Sequence, residues 1–147
     1  MKKIYVIANK GNKAVLMNER KQYKVAEDNS TTMASLKLLA KFMSGLKHND
    51  DEIVVIVPKN LGCLMNSALA NKWLANGNTS STGTKLTADY IAIVKYIGEM
   101  RRYLGNVTFK LQGNENITNV EKIYVKLAWQ CLENLEHRPE MPAFVQA

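Results

Sequence analysis

Apolar residues in the first part of the chain come in short runs separated by polar turns, which is the pattern of β-strands. The run at residues 3–8 is nearly uninterrupted, so it predicts a central strand covered on both faces. Shorter runs at 14–17 and 22–25 are separated by the turn sequences 10–13 and 18–21. Three short strands joined by tight turns predict an antiparallel meander.

Beyond residue 28, helical spacing of apolar residues alternates with single strands. The predicted elements are a helix entered at Asn29–Thr32 and closed by Gly45, a buried strand Ile53–Val57, a helix Leu61–Leu74, a helix Thr87–Leu104, a strand Val107–Leu111 and a helix Thr118–Leu135. A polar loop at 76–84 separates the two middle helices. This order predicts an α/β fold with a mixed five-stranded sheet (β-β-β-α-β-α-α-β-α) and helices on both faces. We expect one domain over residues 1–136 and an irregular tail over 137–147, which contains two prolines.

Positive charge is concentrated at the start of the chain. The 147 residues carry a formal net charge of +7, and the first 24 contain seven lysines or arginines but one acid, Glu19. A surface of this kind attracts phosphate backbones by counterion release, although many small basic proteins bind no nucleic acid. A second basic patch is predicted at Lys95, Arg101 and Arg102, where a solvated helix face is the simpler interpretation.

Several functional classes lack their residue patterns here. Cys63 and Cys131 lie in apolar surroundings without a CxxC motif, which favours small buried hydrophobes in a reducing cytoplasm over a zinc site. His48 and His137 are isolated, and the sequence has no glycine-rich phosphate loop or Ser-His-Asp set. Neither a membrane span nor a secretory signal is predicted. We therefore expect no cofactor, no metal and no membrane partner.

Local strings, in order, resemble the ribonuclease H family over about residues 3–135. Ser30–Leu36 is similar to that family's polar turn leading into its first helix, and Val55–Asn60 to its strand ending in Thr-Asp-Ser. Phe109–Asn114 is similar to the strand that ends in Gly-His, and Asn119–Ala128 to the last helix. Lys72–Leu74 falls where the family often has a tryptophan before a basic loop. The resemblance implies the fold given above and a role with nucleic acid.

The same resemblance implies that the family's four metal-binding acids are missing. Members cleave the RNA strand of an RNA–DNA hybrid with two metal ions, whose charge the acids neutralise. The corresponding positions here are Ala8 or Asn9, Ser35, Lys59, and Tyr124 or Val125. The acids near the two helix entries, Glu27, Asp28, Glu115 and Glu121, are predicted to be solvated surface charges. Metal-dependent cleavage is therefore not expected.

Nucleic-acid contacts are nevertheless implied at several positions, because polar side chains in this family touch phosphates and 2′-hydroxyls in a wide minor groove. Lys59 could bind a phosphate where the family binds metal, or simply lie in water. Trp73 could stack on a base, or belong to the core. The candidate residues are Lys10, Asn12, Lys13, Thr31, Thr32, Lys59, Asn60, Trp73, Lys85 and Asn114.

Three functional hypotheses follow. The first is a catalytically inactive ribonuclease H-like protein that binds RNA, hybrid or DNA, RNA or hybrid being favoured; its lysine- and asparagine-rich composition suggests a phage or mobile element. The second is an adaptor or inhibitor that binds a protein through a sheet edge near Tyr23 or an apolar helix surface. The third is a nuclease with relocated acids at Glu115 or Glu121.

Overall fold

The computed structural model describes residues 2–47 and 51–136 of the chain. The predicted tail and both histidines lie outside these residues. The described elements are β1 (Lys2–Lys10), β2 (Lys13–Asn18), β3 (Tyr23–Glu27), α1 (Thr31–Ser44), β4 (Glu52–Val57), a 3-10 segment (Lys59–Met65), α2 (Leu69–Ala75), α3 (Ala88–Leu104), β5 (Val107–Leu111) and α4 (Asn119–Glu136).

The five strands form one mixed sheet in the order β3-β2-β1-β4-β5. The β1–β2 and β2–β3 pairs are antiparallel, whereas β4 runs parallel to both β1 and β5. The predicted mixed five-stranded sheet is confirmed. Because β1, β4 and β5 are mutually parallel, their carboxyl ends lie at one edge of the sheet.

Helices cover both faces of this sheet and divide the core into two layers. α1, α2 and α3 pack on one face, around Ile7, Leu39, Val55 and Phe109. α4 packs on the other face with Val15, Ile56 and other apolar residues of β1, β2 and β4. In the described part of the chain, no helix combines the length and apolarity needed to cross a bilayer.

The two long helices of the first layer have the caps that their sequences predict. The Ser30 hydroxyl accepts a hydrogen bond from the Met33 amide at the start of α1, and Thr87 does the same for Tyr90 at the start of α3. α3 ends at Gly105, whose φ of 72° lies in the left-handed region that glycine adopts without steric cost.

The predicted helix Leu61–Leu74 is wrong in its extent. The chain forms the 3-10 segment Lys59–Met65, turns at 66–68, and only then enters the short helix α2. The turn packs against α3 so closely that a Cβ on Gly98 would lie 2.9 Å from the Ser67 carbonyl oxygen. This tertiary contact, which local periodicity does not encode, accompanies the break.

A buried ion pair joins β5 to the start of α4. The Lys110 ammonium lies 2.9 Å from the nearer carboxylate oxygen of Glu121, whose side chain is only 1% exposed. Glu121 also accepts a hydrogen bond from the Thr118 amide and donates its own amide to the Thr118 hydroxyl, which completes a capping box. Burial alone raises the pKa of Glu121, but the hydrogen bonds from Thr118 and Lys110 outweigh it and hold this pKa below its usual value.

Removing one member of this pair should destabilise the protein strongly, because the other charge is left buried. We expect Lys110→Met to lower the free energy of unfolding by about 3 kcal/mol in urea titrations. The double variant Lys110→Met/Glu121→Gln should recover most of that loss. The matched control is Lys95→Met in the exposed Lys95–Glu99 pair, which should cost less than about 0.5 kcal/mol.

The coupling between Lys110 and Glu121 should also depend on pH. The pKa of Glu121 is lower in the folded protein than in the unfolded chain, so its contribution is present above the unfolded value of about 4.3 and is lost as the pH falls through the folded value. The coupling free energy between Lys110→Met and Glu121→Gln, taken from the free energies of unfolding of the single and double variants, should therefore be full at pH 7 and decline below about pH 4. A coupling that is unchanged at pH 3 would contradict this assignment.

Candidate nucleic-acid site

The carboxyl edge of the sheet gathers the strand-end residues that the sequence singled out. β1 ends at Lys10, β4 is followed by Pro58–Asn60, and β5 is followed by Gln112–Asn114. The strand order reverses at β1, since β2 and β3 follow on one side of it and β4 and β5 on the other. In open α/β sheets a crevice at the carboxyl ends of the strands, next to such a reversal, is the usual ligand site.

A chain of hydrogen bonds centred on Asn9 organises this edge. The Asn9 amide nitrogen donates to the Ser35 hydroxyl at 2.8 Å and to the side-chain oxygen of Asn60 at 3.1 Å. Ser35 in turn donates to the Thr31 carbonyl, and the Thr31 hydroxyl donates to the Gly11 carbonyl. The β1–β2 turn, the first turn of α1 and the end of β4 are thereby tied together.

The two alternatives at the end of β1 lie on opposite faces of the sheet. Asn9 faces α1 and meets Ser35, whereas Ala8 is buried in the opposite layer beneath α4. Beyond β4, Asn60 rather than the neighbouring Lys59 accepts the hydrogen bond from Asn9. The 3-10 segment that begins directly after Pro58 brings the side-chain oxygen of Asn60 to Asn9, while Asn60 as a whole is exposed.

Gln112 and Trp129 close the other side of the crevice, and sequence reasoning missed both. Gln112 donates its amide to the Ile7 carbonyl at 2.8 Å and accepts the Trp129 indole N–H at 2.9 Å. Together with Asn9, Pro58, Lys59 and Asn60 they line an open pocket of about 300 Å³, which we call the strand-edge pocket. The position of Gln112 just after a parallel strand could have indicated its role. Trp129, far along α4, carries no comparable local signal.

The last-helix alternatives, Tyr124 and Val125, both pack against the core layer beneath α4. Val125 also lines a second pocket beside Gln112, Gly113 and Asn114, one helical turn before Trp129. This side of α4 therefore places Val125 and Trp129 beside the carboxyl edge of the sheet.

Lys59 lies at the rim of the pocket, with its side chain across Gly113. A Cβ on Gly113 would lie 2.6 Å from Lys59 Cε and 3.2 Å from Nζ, so the glycine leaves the space that the lysine occupies. In the described part of the chain Lys59 has no ion-pair partner. An exposed cation therefore stands beside the exposed side chain of Asn60.

The side chains at this edge do not fit a two-metal centre. The pocket presents amides, a lysine and a tryptophan, and no carboxylate lines it. Within residues 2–47 and 51–136, histidine, cysteine, aspartate and glutamate form no group of three that could hold a metal ion. Neutral amide oxygens beside an ammonium group do not supply the negative charge that paired divalent cations require.

The turn of the β1–β2 hairpin, with Lys10 and Lys13 on either side of it, lies at the same edge. Lys10 and Lys13 face each other across the β1–β2 ladder, and Lys13 lies 3.8 Å from Glu27. Asn12 is exposed in the turn between them, where Gly11 has a φ of 61°. This φ suits the first position of a two-residue hairpin turn.

The two threonines at the entry of α1 are half-buried beside this hairpin. Thr31 is engaged by Gly11 through its hydroxyl, which can still accept a hydrogen bond but is not free to donate one. Thr32 adjoins it in the first turn of α1.

Of the other three residues predicted to contact nucleic acid, Asn114 lies beside the strand-edge pocket, whereas Lys85 and Trp73 do not line it. Asn114 is exposed in the loop after β5 and lines the pocket that contains Gly113. Lys85 is exposed in the loop before α3, where its backbone forms an isolated antiparallel β-bridge with Thr79. It does not line the strand-edge pocket. Trp73 is buried and stacked on Tyr90 at 5.5 Å, so it occupies the core alternative that the sequence left open.

Of the acids near the helix entries, Asp28 and Glu121 are held by local partners. Asp28 pairs with Lys37, whose hydrogen bond holds the pKa of Asp28 below its usual value. Glu115 is exposed. The prediction that Glu121 is a solvated surface charge is wrong, because Lys110 and Thr118 bind it in the interior. The Thr118-x-x-Glu121 spacing is a capping-box pattern and could have indicated this.

Comparison with known proteins establishes the fold. No protein-family model matches the sequence, and neither does any curated protein. Among solved structures, a foamy viral protease-reverse transcriptase in complex with double-stranded DNA aligns with a TM-score of 0.54 and 11% identity, over 88% of this chain and 91% of that one. The fold is ribonuclease H-like. The same viral protein in complex with an RNA/DNA hybrid gives a TM-score of 0.53 and 12% identity over 88% of this chain. This chain spans only 19% of that longer one.

The hydrogen-bond network predicts that Asn9 is structurally essential at this edge. Asn9→Ala removes both donors and leaves the buried Ser35 hydroxyl with one partner fewer. We expect a loss of about 1–3 kcal/mol in the free energy of unfolding, measured by urea denaturation. Asn12→Ala, at an exposed asparagine on the same edge, should change this free energy by less than about 0.5 kcal/mol. Equal effects of the two substitutions would contradict the network.

Proposed function

We propose that this protein binds nucleic acid through the carboxyl edge of its sheet and does not cleave it by two-metal catalysis. The observation that carries the proposal is the strand-edge pocket, where Lys59 and Asn60 stand in a crevice that holds no carboxylate. A lysine at such a position attracts a phosphate and repels a metal ion. The likeness to chains whose structures are complexes with DNA and with an RNA/DNA hybrid supports a nucleic acid as the ligand.

The surroundings of the pocket extend the cationic surface along the edge. Lys10 and Lys13 on the hairpin lie on one side of it, and Asn114 on the other. Phosphate contacts by lysines supply affinity without sequence preference. Asparagine and threonine side chains can both donate and accept hydrogen bonds, which suits 2′-hydroxyl groups and favours an RNA strand.

A charge-reversal experiment tests the surface. We expect Lys10→Glu/Lys13→Glu/Lys59→Glu to weaken binding to a labelled RNA–DNA hybrid by at least about 100-fold at 0.1 M salt, and to reduce the salt slope by about 2 to 3. Fluorescence anisotropy at several salt concentrations, with single-stranded RNA and duplex DNA in parallel, measures both quantities.

The matched control reverses the same number of charges at the opposite edge, with Lys41→Glu/Lys47→Glu/Arg102→Glu. These residues are exposed and lie at or beyond the ends of α1 and α3. Because the change in net charge is identical, any general electrostatic effect cancels in the comparison. Similar losses for the two triple variants, or no binding by the unaltered protein, would refute the proposed site.

The absence of two-metal catalysis is tested separately. An RNA–DNA hybrid incubated with the protein and magnesium or manganese should remain intact, as in a blank without protein. Cleavage that depends on metal and is lost in Glu115→Gln would instead establish a nuclease with relocated acids. Glu121 is a poorer candidate for such a role because its carboxylate is already bound by Lys110.

A further inference from the structure

β3 is an edge strand of the sheet, and its free side can be identified residue by residue. The Asn18 amide donates to the Gln22 carbonyl at 3.0 Å, and the Asp28 amide donates to the Asn12 carbonyl at 2.9 Å. Hydrogen-bonded pairs alternate in an antiparallel ladder, so Lys24 and Ala26 also direct their backbone groups to β2. The N–H and C=O groups of Tyr23, Val25 and Glu27 therefore point outward, away from the sheet.

Pockets lined by both apolar and polar residues flank the start of this free edge on both faces of the sheet. On one face, Met17 and Tyr23 line a pocket of about 540 Å³ with Leu127, Cys131 and Leu135 of α4. On the other, Tyr23 lines a pocket of about 340 Å³ with Tyr5, Leu16 and Phe42. Tyr23 is 50% exposed and Val25 42% exposed. An added strand would direct alternate side chains to these two faces.

Lysines face both of the pockets at this edge. Lys21 and Lys24 line the two pockets, and neither has an ion-pair partner within the described residues. Of the neighbouring acids, Glu27 lies 3.8 Å from Lys13, whereas Glu19 accepts the Ile4 amide and keeps its charge. Acidic residues in an incoming strand would complement these lysines.

We propose that the β3 edge binds an extended segment of a partner protein, one whose apolar side chains alternate and which carries acidic residues. The segment adds a sixth strand by hydrogen bonding to Tyr23, Val25 and Glu27, with its side chains in the two flanking pockets. Pairing with a second copy is disfavoured, because it would place two lysine-bearing edges side by side. This activity is independent of nucleic-acid binding at the carboxyl edge.

Amide hydrogen exchange, followed by NMR, tests the geometry directly. In the free protein the amides of Lys24 and Ala26 should be protected, and those of Tyr23, Val25 and Glu27 should exchange fast. The probe is a labelled peptide selected on the full chain from a phage-displayed library of random nine-residue peptides. We expect selected peptides to alternate apolar residues and to contain Asp or Glu, and their binding to protect the amide of Val25.

Variants identify the bound surface. Val25→Pro removes one outward N–H without touching the ladder to β2, and it should weaken peptide binding at least tenfold, as should Tyr23→Lys. Val25→Thr keeps the N–H and should bind within about threefold of the unaltered protein. Tyr103→Lys changes the charge equally at another exposed tyrosine, 72% exposed on α3, and should bind normally. Circular dichroism and urea titration confirm that each variant is folded, and Val25→Pro should bind the RNA–DNA hybrid as before.

Several results would overturn the proposal. These are the failure of any peptide to be enriched, equal peptide binding by Val25→Pro, and an amide of Val25 that stays unprotected in the complex. A concentration-dependent dimer that Val25→Pro abolishes would assign the edge to a second copy of the chain. Loss of hybrid binding in a folded Val25→Pro variant would assign it to nucleic acid.

Discussion

The side-chain amide of Asn9 is the constraint on which the carboxyl edge depends. Its two hydrogens reach Ser35 on α1 and Asn60 beyond β4, and Ser35 continues the network to the turn after β1. An amide can serve this purpose because it donates twice while carrying no charge, so it can be buried at the end of a central strand. A carboxylate in the same place could donate to neither partner. The edge is thus built around a neutral hydrogen-bonding centre.

The groups that remain available to a ligand lie around this centre. Gln112 is used at both ends, by Ile7 and by Trp129, and serves to hold α4 against the strand ends. Lys59 and the outer part of Asn60 are exposed, and Gly113 leaves room for the lysine chain. The buried pair Lys110–Glu121 anchors the other end of α4 to β5. Rigid contacts on three sides therefore present a small cationic surface.

Much of the fold follows from the sequence because strand and helix periods are local properties. The uninterrupted run Ile53–Val57 and the caps at Ser30 and Thr87 lie where they were predicted. The site was harder to predict, since it depends on distances across the sheet. The 3-10 segment after Pro58 brings Asn60 to Asn9, a contact that periodicity does not encode. Trp129 reaches Gln112, and Glu121 reaches Lys110, only when α4 packs on the sheet.

The two tryptophans have environments different enough to report on different events. Trp73 is enclosed in the core against Tyr90, so its emission depends on whether the helical layer is packed. Trp129 is half-buried, hydrogen-bonded to Gln112, and lines the strand-edge pocket. Indole emission responds to the polarity and hydrogen bonding of its surroundings. The protein thus contains its own optical probe of pocket occupancy, beside a second one that follows folding.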